Sequence, residues 1–216
     1  MPTSHSQQMN EIVELIALTD PQSLLDIGVG FGKYGVLARE YLELWDGRDQ
    51  YLDWQRRIDG IEGFSDYKTP IHEFIYDNMY WGDAREIVPK LEVDYDLIIL
   101  IDILEHFTRE EGMKLLEICL QRGRNVLIST PIKMSDQGEA FENPYETHRY
   151  QWTRKDFEGF QNRVMLRNSD SLLAYLGEDA DRVGRKARVS AARRIKKRYP
   201  FLSLPVSIWK RVLRAK

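Results

Sequence analysis

The sequence has one cysteine, no long apolar run and no leader-like N-terminus, and each of these absences excludes a class of protein. Cys119 alone can form neither an intramolecular disulfide nor a cysteine-built zinc site, and so low a cysteine content favours a reducing compartment such as the cytoplasm. The longest aliphatic run, Leu97–Ile101, has five residues, whereas a membrane-spanning helix needs about 20. The start Met-Pro-Thr-Ser-His-Ser lacks the basic and apolar regions of a signal peptide and the glycine that is myristoylated, so we expect neither secretion nor a lipid anchor.

Acidic residues are missing from one end of the chain. Residues 182–216 contain 13 Lys and Arg and no Asp or Glu, whereas residues 1–181 contain 18 Lys and Arg against 34 Asp and Glu. The formal charges of these parts are therefore +13 and −16, and the net charge of −3 is an average over unlike segments. We predict a globular domain over residues 1–181 and a separate basic, amphipathic tail over residues 182–216.

Short apolar runs alternate with amphipathic stretches through residues 1–180, and 43% of the whole sequence is apolar. This order is typical of an α/β domain whose sheet is mainly parallel. The predicted helices are residues 33–45, 66–76, 84–91 and 109–121. The predicted strands are Ser23–Ile27, Asn78–Trp81 and residues 58–61, 95–101, 125–129, 164–166 and 171–176. We therefore expect a Rossmann-like, doubly wound mixed sheet of seven strands.

A strand, a glycine-rich turn and a helix start follow one another in residues 24–33, LLDIGVGFGK. Gly28, Gly30 and Gly32 allow a tight turn and the close approach of a ligand, and the helix behind them offers N–H groups to a nucleotide-like ligand. Asp26, at the strand end, would sit beside a cationic or amino group of that ligand. The spacing differs from the dinucleotide pattern GxGxxG and lacks the Lys-Ser/Thr pair of a P-loop. A turn that only joins a strand to a helix is the alternative.

This turn resembles motif I of class I S-adenosylmethionine-dependent methyltransferases, and later segments resemble the next motifs of that family in order. Residues 57–62 read as a strand that ends in an acid, which in the family accepts the ribose hydroxyls of the cofactor. Residues 81–85 resemble the turn that hydrogen-bonds the adenine, and residues 95–102 resemble the strand whose end faces the methyl-bearing sulfonium. The resemblance covers roughly residues 10–176. The cofactor-binding residues that it implies are Asp26, Gly28, Gly30, Gly32, Glu62, Gly63, Asp83, Ala84, Asp102 and Ile103.

Acids and a histidine in the spacing D-x-x-E-H follow the fourth strand, on one side of a helical turn. In family members with this pattern the histidine takes the proton of a substrate hydroxyl, a role that suits imidazole near pH 7. Residues 148–154, HRYQWTR, resemble a segment of the metal-dependent small-RNA 2′-O-methyltransferases. The catalytic residues implied are His106, Glu105 and His148, and the implied ligands of a divalent metal are Asp102, Glu105, His106 and His148. Metal-free catalysis by His106 and a structural role of the turn are the alternatives.

The basic tail indicates where the acceptor lies. Residues 208–216 place Ile208, Trp209, Val212 and Leu213 on one helical face with Lys and Arg opposite, which is the composition of a helix on an anionic membrane surface. Binding of RNA phosphates and pairing with the acidic domain or a second subunit are the alternatives. We predict an S-adenosylmethionine-dependent transferase, peripheral at the inner face of the cytoplasmic membrane, that O-methylates a glycan or another polar small acceptor.

Two other functions are compatible with the sequence. One is a divalent-metal-assisted RNA 2′-O-methyltransferase, which the segment around His148 favours. The charge of −16 on residues 1–181 disfavours a polyanion bound across the whole surface, so RNA ranks below a small polar acceptor. The other is a non-catalytic, cofactor-binding partner protein.

Overall fold

A mixed sheet of seven strands forms the centre of the structure. The computed structural model describes residues 4, 6–44, 52–139, 142–166 and 168–198. The strands are β1 (Ser23–Ile27), β2 (Arg57–Glu62), β3 (Asn78–Trp81), β4 (Leu97–Ile101), β5 (Asn125–Pro131), β6 (Arg163–Leu166) and β7 (Ser171–Gly177). Their order is β3-β2-β1-β4-β5-β7-β6, with β7 antiparallel to both neighbours and all other pairs parallel. The predicted Rossmann-like sheet of seven strands is confirmed.

The strand order reverses at the centre of the sheet. The chain adds β2 and β3 on one side of β1, then returns to add β4 and β5 on the other side. At such a switch point the loops after the two central strands diverge and leave a crevice at their carboxyl ends. β4 lies between β1 and β5 and is wholly buried, which explains its uninterrupted aliphatic sequence.

Helices cover both faces of the sheet. One face is covered by α1 (Met9–Thr19), α2 (Lys33–Arg39), α3 (Pro70–Ile75) and α6 (Ala180–Arg198), and the other by α4 (Ala84–Ile87) and α5 (Arg109–Arg122). Successive residues of β4 point to opposite faces, so Leu97 and Ile99 pack with the first group whereas Ile98 and Leu100 pack with the second. Each face of the sheet thus has its own apolar core.

Prolines set the ends of two helices that are shorter than predicted. The stretch 66–76 is interrupted, and α3 begins only at Pro70, because proline suits a first helical position but not an interior one. The stretch 84–91 is α-helical only to Ile87, since Pro89 in the following 3₁₀ turn has no N–H for an α-helical hydrogen bond. The stretch 33–45 forms α2 and a π-helical turn, Glu40–Leu44, with residue 45 outside the described part of the chain.

The two ends of the described chain contain helices that the sequence patterns did not delimit. Helix α1 was not predicted, and α6 crosses the boundary that we predicted between residues 181 and 182. Val183 and Ala187 of α6 are buried in the core, so the charge boundary does not coincide with the end of the packed domain. The amphipathic stretch 208–216 lies outside the described residues. Among the residues described, no helix has both the length and the apolar content to cross a membrane.

A buried indole ring fixes the segment that follows β5. Trp152 is 1% exposed, its Nε1–H donates to the Leu104 carbonyl at 2.8 Å, and its ring packs on Phe157 at 5.7 Å between centroids. The ring also lies against Gly112 of α5, where an added Cβ would overlap the ring carbons. Gly112 therefore makes room for Trp152 and lets this segment reach the loop after β4.

We expect that replacing Gly112 with alanine destabilises the protein, although alanine is the better helix former. In an open helix this change stabilises by about 1 kcal/mol, but overpacking against Trp152 should outweigh that gain and leave a net loss of about 1–3 kcal/mol. Thermal unfolding measures the difference, with Gly159→Ala as the control because an added Cβ there meets no atom within 4 Å. A Gly112→Ala variant as stable as the native chain would contradict this packing.

Candidate active site at the carboxyl edge of the sheet

The glycine-rich turn lies directly on the end of β2. Gly28, Gly30 and Gly32 all have positive φ, at 76°, 52° and 91°, which is the left-handed backbone that glycine tolerates best. The Gly28 N–H donates to the Ile61 carbonyl at 2.8 Å. A Cβ at Gly28 would overlap the side chain of Ile103, which follows β4. The turn after β1 and the loop after β4 therefore meet at the carboxyl end of the central strands.

Glu62, at the end of β2, binds the backbone of this turn through hydrogen bonds. Its carboxylate accepts hydrogen bonds from the backbone N–H of Gly30 at 2.9 Å and of Phe64 at 3.0 Å, and the side chain is 6% exposed. Burial raises the pKa of Glu62. A Cβ added at the next residue, Gly63, would lie in van der Waals contact with the ring of Tyr145. The predicted ribose-binding acid thus lies beside the glycine-rich turn.

Asp26 lies beneath the turn and is 2% exposed. The hydroxyl of Tyr76 donates to Asp26 Oδ2 at 2.7 Å. Burial raises the pKa of Asp26 to about 7 against the opposing effect of that hydrogen bond, and the negative charge of Glu62 adds to the rise. The carboxyl group is therefore poised to change charge near neutrality, and a nearby cation would favour its ionised form.

Asp83 and Ala84 lie where β3 ends and α4 begins. The Asp83 carboxylate caps α4 by accepting from the Arg85 N–H at 2.8 Å, and it also pairs with the Arg85 guanidinium at 2.6 Å. Partial burial raises the pKa of Asp83, but the hydrogen bonds and the charge of Arg85 outweigh burial, so the net pKa is lowered. The guanidinium also pairs with Glu111 of α5 at 2.5 Å. The Asp83 carboxylate, which we predicted to contact the adenine, is therefore also bound by Arg85.

Asp102 has a left-handed backbone, with φ at 57°, and its carboxylate is engaged by two side chains. Gln8, just before α1, donates from Nε2 to Asp102 Oδ2 at 2.7 Å, and the Ser129 hydroxyl lies 2.9 Å from Asp102 Oδ1. The sequence patterns did not identify Gln8, because nothing near it resembles a binding motif. Asp102 is not in the group that the other three predicted metal ligands form.

Glu105, His106 and His148 come together beside the end of β4. Their ligand atoms all lie within 4.8 Å of one another, and the two imidazole rings are 5.1 Å apart between centroids. His106 Nδ1 lies 3.3 Å from the Thr147 carbonyl, and His148 Nδ1 lies 2.8 Å from the Ser135 carbonyl. Since a carbonyl can only accept, Nδ1 is the donor in both rings, which leaves Nε2 as the ring atom that can face a ligand. The structure thus joins three of the four predicted ligands.

The charge states of this cluster suit a cation. Glu105 is 2% exposed, and within the described residues its Oε2 has no hydrogen-bond partner. Burial and the charge of Asp102 raise the pKa of Glu105 well above its usual value, while burial lowers the pKa of His106 to about 4. A carboxyl oxygen without a hydrogen-bond partner beside the nitrogens of two imidazoles is a donor set for a divalent ion such as Mn²⁺, Fe²⁺, Co²⁺ or Zn²⁺. The residues present therefore fit the predicted metal, without Asp102.

Backbone hydrogen bonds bring His148 to this position. The Glu105 carbonyl accepts from the N–H groups of Arg149 at 2.7 Å and of Tyr150 at 3.2 Å, and the His148 N–H donates to the Gln137 carbonyl at 3.0 Å. Together with the Trp152 indole, these bonds dock residues 147–152 on the turn after β4. The proximity of His106 and His148 is thus built by main-chain contacts.

The loop after β5 also reaches the far side of the crevice. The Tyr67 hydroxyl donates to Glu146 Oε1 at 3.1 Å, and Tyr145 lies over Gly63 at the end of β2. Residues 143–148 therefore extend from the histidine pair beside β4 to the end of β2, across the crevice between the strands. Neither Tyr67 nor this crossing could be inferred from a local motif, because the residues that meet are far apart in sequence.

Comparisons with known proteins bear on the fold of the chain. No protein-family model matches the sequence. No curated protein matches it either. Solved structures do match, at low identity, and several of them are proteins of which the chain spans only about half the length.

Three of these structures illustrate the likeness. An O-methyltransferase family protein from Burkholderia thailandensis is 15% identical, with a TM-score of 0.56, 81% of this chain covered and 56% of that one. The N-terminal domain of EvdMO1, in the presence of SAH and D-fucose, is 15% identical, with a TM-score of 0.54 and coverage of 81% and 84%. The methyltransferase domain of bacterial CtHen1-CN is 17% identical, with a TM-score of 0.50 and coverage of 80% and 98%. The chain therefore has the Rossmann-like fold of S-adenosylmethionine-dependent methyltransferases.

Proposed function

We propose that the chain is an S-adenosylmethionine-dependent O-methyltransferase. The observation that carries this proposal is the contact between the glycine-rich turn at Gly28 and the loop after β4 at Ile103, with the cluster of Glu105, His106 and His148 on that same loop and its neighbour. A cofactor whose ribose lies on Glu62 would direct its sulfonium toward the end of β4, where the cluster could hold an acceptor hydroxyl. SAH in the solved EvdMO1 structure supports the same cofactor here.

The reaction that we propose is an in-line displacement. A lone pair of the acceptor hydroxyl oxygen attacks the methyl carbon, the new O–C bond forms as the S–C bond breaks, and the electron pair of that bond stays on sulfur as the thioether. The hydroxyl proton passes to the unprotonated Nε2 of His106 and then to solvent. The carbonyl of Thr147 holds the proton on Nδ1 of His106 and so keeps Nε2 available.

As an alternative to this proton transfer, Glu105, His106 and His148 would hold a divalent cation; the Nε2 lone pair of His106 would then be occupied by the ion, and the acceptor's proton would pass to solvent instead. Such an ion would lower the pKa of an acceptor hydroxyl and orient it. The orphaned Oε2 of Glu105 and the two Nε2 atoms are the donors, and the carbonyls of Thr147 and Ser135 fix the ring orientations from behind.

We propose a glycan or another small polar molecule as the acceptor. Residues 1–181 carry a formal charge of −16, which disfavours a long polyanion on this surface. The structure of the EvdMO1 domain in the presence of D-fucose supports a sugar as the acceptor here. The exposed basic residues Arg185, Lys186 and Arg188 of α6 would hold the enzyme at an anionic membrane surface, near lipid-linked acceptors.

A second candidate is a metal-assisted RNA 2′-O-methyltransferase. It is favoured by the cluster of Glu105, His106 and His148, which combines the D-x-x-E-H turn with the HRYQWTR segment. The likeness to the CtHen1-CN domain supports it further. Transfer of a labelled methyl group to fractionated RNA, and not to glycan or metabolite pools, would favour this function over the first.

We expect binding of SAH to depend on the charge of Asp26. The carboxyl group is ionised above its pKa of about 7 and neutral below it, so the ammonium group of SAH should bind more weakly as the pH falls from 8 to 6. For one group that must be ionised, this predicts a loss of about tenfold, measured by calorimetry. In Asp26→Asn this pH dependence should disappear. The amino group of SAH titrates in the same way with both proteins, so its effect cancels in the ratio of their affinities.

The control for this experiment is Asp94→Asn, which removes an exposed carboxylate paired with Arg122 at 3.5 Å. It should retain the affinity and the pH dependence of the native chain. If Asp26→Asn shows the same pH dependence as the native protein, Asp26 does not carry this charge effect. Absence of SAH binding by the native chain at every pH would refute the proposed function itself.

We expect the native protein to bind Co²⁺ with visible absorption bands, and His148→Ala to lose this binding together with most of the methyl transfer. Removal of one imidazole leaves too few protein ligands for a stable site. Calorimetry and absorption spectra of the protein with Co²⁺ alone measure the binding, with Glu139→Gln, an exposed acid of the same loop, as the control. Full transfer activity in excess chelator, or unchanged Co²⁺ binding by His148→Ala, would contradict the metal site.

We expect the native protein to sediment with vesicles that contain phosphatidylserine, less strongly as salt is added. Each basic residue near such a surface contributes about 1 kcal/mol, so Arg185→Gln, Lys186→Gln and Arg188→Gln together should weaken partitioning on the order of 100-fold. Vesicles of neutral lipid alone are the control. Salt-sensitive RNA binding without vesicle binding would contradict the membrane location.

A further inference from the structure

His72 joins helix α3 to the glycine-rich turn. The side chain is fully buried, and its Nε2 lies 2.8 Å from the Gly30 carbonyl. The Thr69 N–H donates to Nδ1 of the same ring at 3.0 Å. Because Nδ1 accepts, the ring proton is on Nε2, and His72 donates a hydrogen bond to Gly30. The sequence contained no signal for this contact, since His72 lies in no motif.

Gly30 is thereby held at both of its polar backbone atoms. Its N–H donates to Glu62 Oε2 at 2.9 Å, and its carbonyl accepts from His72. The peptide groups on either side of Gly30 cannot rotate without breaking one of these bonds. The left-handed φ of 52° at Gly30 is thus fixed from β2 and from α3 together.

The segment that begins at α3 touches the rest of the turn as well. A Cβ added at Gly32 would lie 3.4 Å from the side chain of Ile71. The Tyr76 hydroxyl donates a hydrogen bond to Asp26, at the end of β1. The His72 ring stacks on Tyr76 at 6.3 Å between centroids and makes an edge-to-face contact with Trp81 at 5.6 Å. Packing therefore restricts the imidazole to the orientation in which Nε2 points at the turn.

We propose that His72 is a positioning residue for the cofactor: it fixes the Gly30 peptide so that the glycine-rich turn is preorganised to bind S-adenosylmethionine. This proposal rests on the proposed function, because it assigns the turn to that cofactor. A turn that is already ordered loses little conformational entropy when the ligand binds, so the hydrogen bond acts on affinity without touching the ligand.

Two amide substitutions separate the two hydrogen bonds of the ring. In His72→Asn, Oδ1 takes the place of Nδ1 and accepts from Thr69, but no donor reaches Gly30. In His72→Gln, Nε2 takes the place of the imidazole Nε2 and donates to Gly30, but the bond from Thr69 is lost. Both variants retain a side chain of similar polarity, so they serve as matched controls for each other.

We expect His72→Asn to bind SAH about tenfold more weakly than the native chain, since it leaves a buried carbonyl unpaired. His72→Gln should bind within about twofold of the native affinity, while its melting temperature falls through loss of the bond from Thr69. In the ligand-free protein, amide exchange at Gly30 and Gly32 should be faster in His72→Asn than in His72→Gln.

Native affinity and native amide exchange in His72→Asn would overturn the positioning role. Equal losses of affinity in both variants, in proportion to their losses of stability, would overturn it too, because they would indicate a structural role only. If the native chain itself binds no SAH, the proposed function fails and this proposal fails with it. Native binding together with an unaffected His72→Asn variant refutes only the proposal for His72.

Discussion

The candidate active site depends on the backbone carbonyl of Glu105. This one atom accepts hydrogen bonds from Arg149 and Tyr150, and it thereby fixes the segment after β5 on the turn after β4. His148 stands beside His106 because of this contact, and the buried ring of Trp152 secures the same segment against α5. The contact is made by main-chain atoms, and the side chain of Trp152 reinforces it. The chemistry at this edge of the sheet is thus a consequence of how two loops dock.

Three buried carboxyl groups lie at this edge of the sheet. Asp26, Glu62 and Glu105 are each less than a tenth exposed, and burial raises the pKa of all three. Ionised carboxylates in such surroundings destabilise a protein unless a positive charge compensates them. The sulfonium and ammonium of S-adenosylmethionine, and a divalent ion at Glu105, would supply that charge. Part of the acidic excess of residues 1–181 therefore lies at the proposed site.

The strands and the doubly wound class of the sheet could be predicted from the sequence, because alternation of apolar runs and turns is a local property of the chain. The same holds for the glycine-rich turn and for the turn that contains Glu105 and His106. Contacts between distant segments could not be predicted in this way: Gln8 donates a hydrogen bond to Asp102, one of the expected metal ligands, and His72 reaches Gly30 from a helix with no motif. Residues of this kind are specified by tertiary packing, which leaves no periodic signal in the sequence.

The most direct test of the account is a crystal structure of the protein with SAH. The account predicts that the ribose hydroxyls lie on the Glu62 carboxylate, that the glycine-rich turn encloses the ligand, and that its sulfur faces Glu105, His106 and His148. A ligand bound elsewhere, or one whose sulfur points away from this cluster, would contradict the claim that the two halves of the crevice form one methyltransferase site.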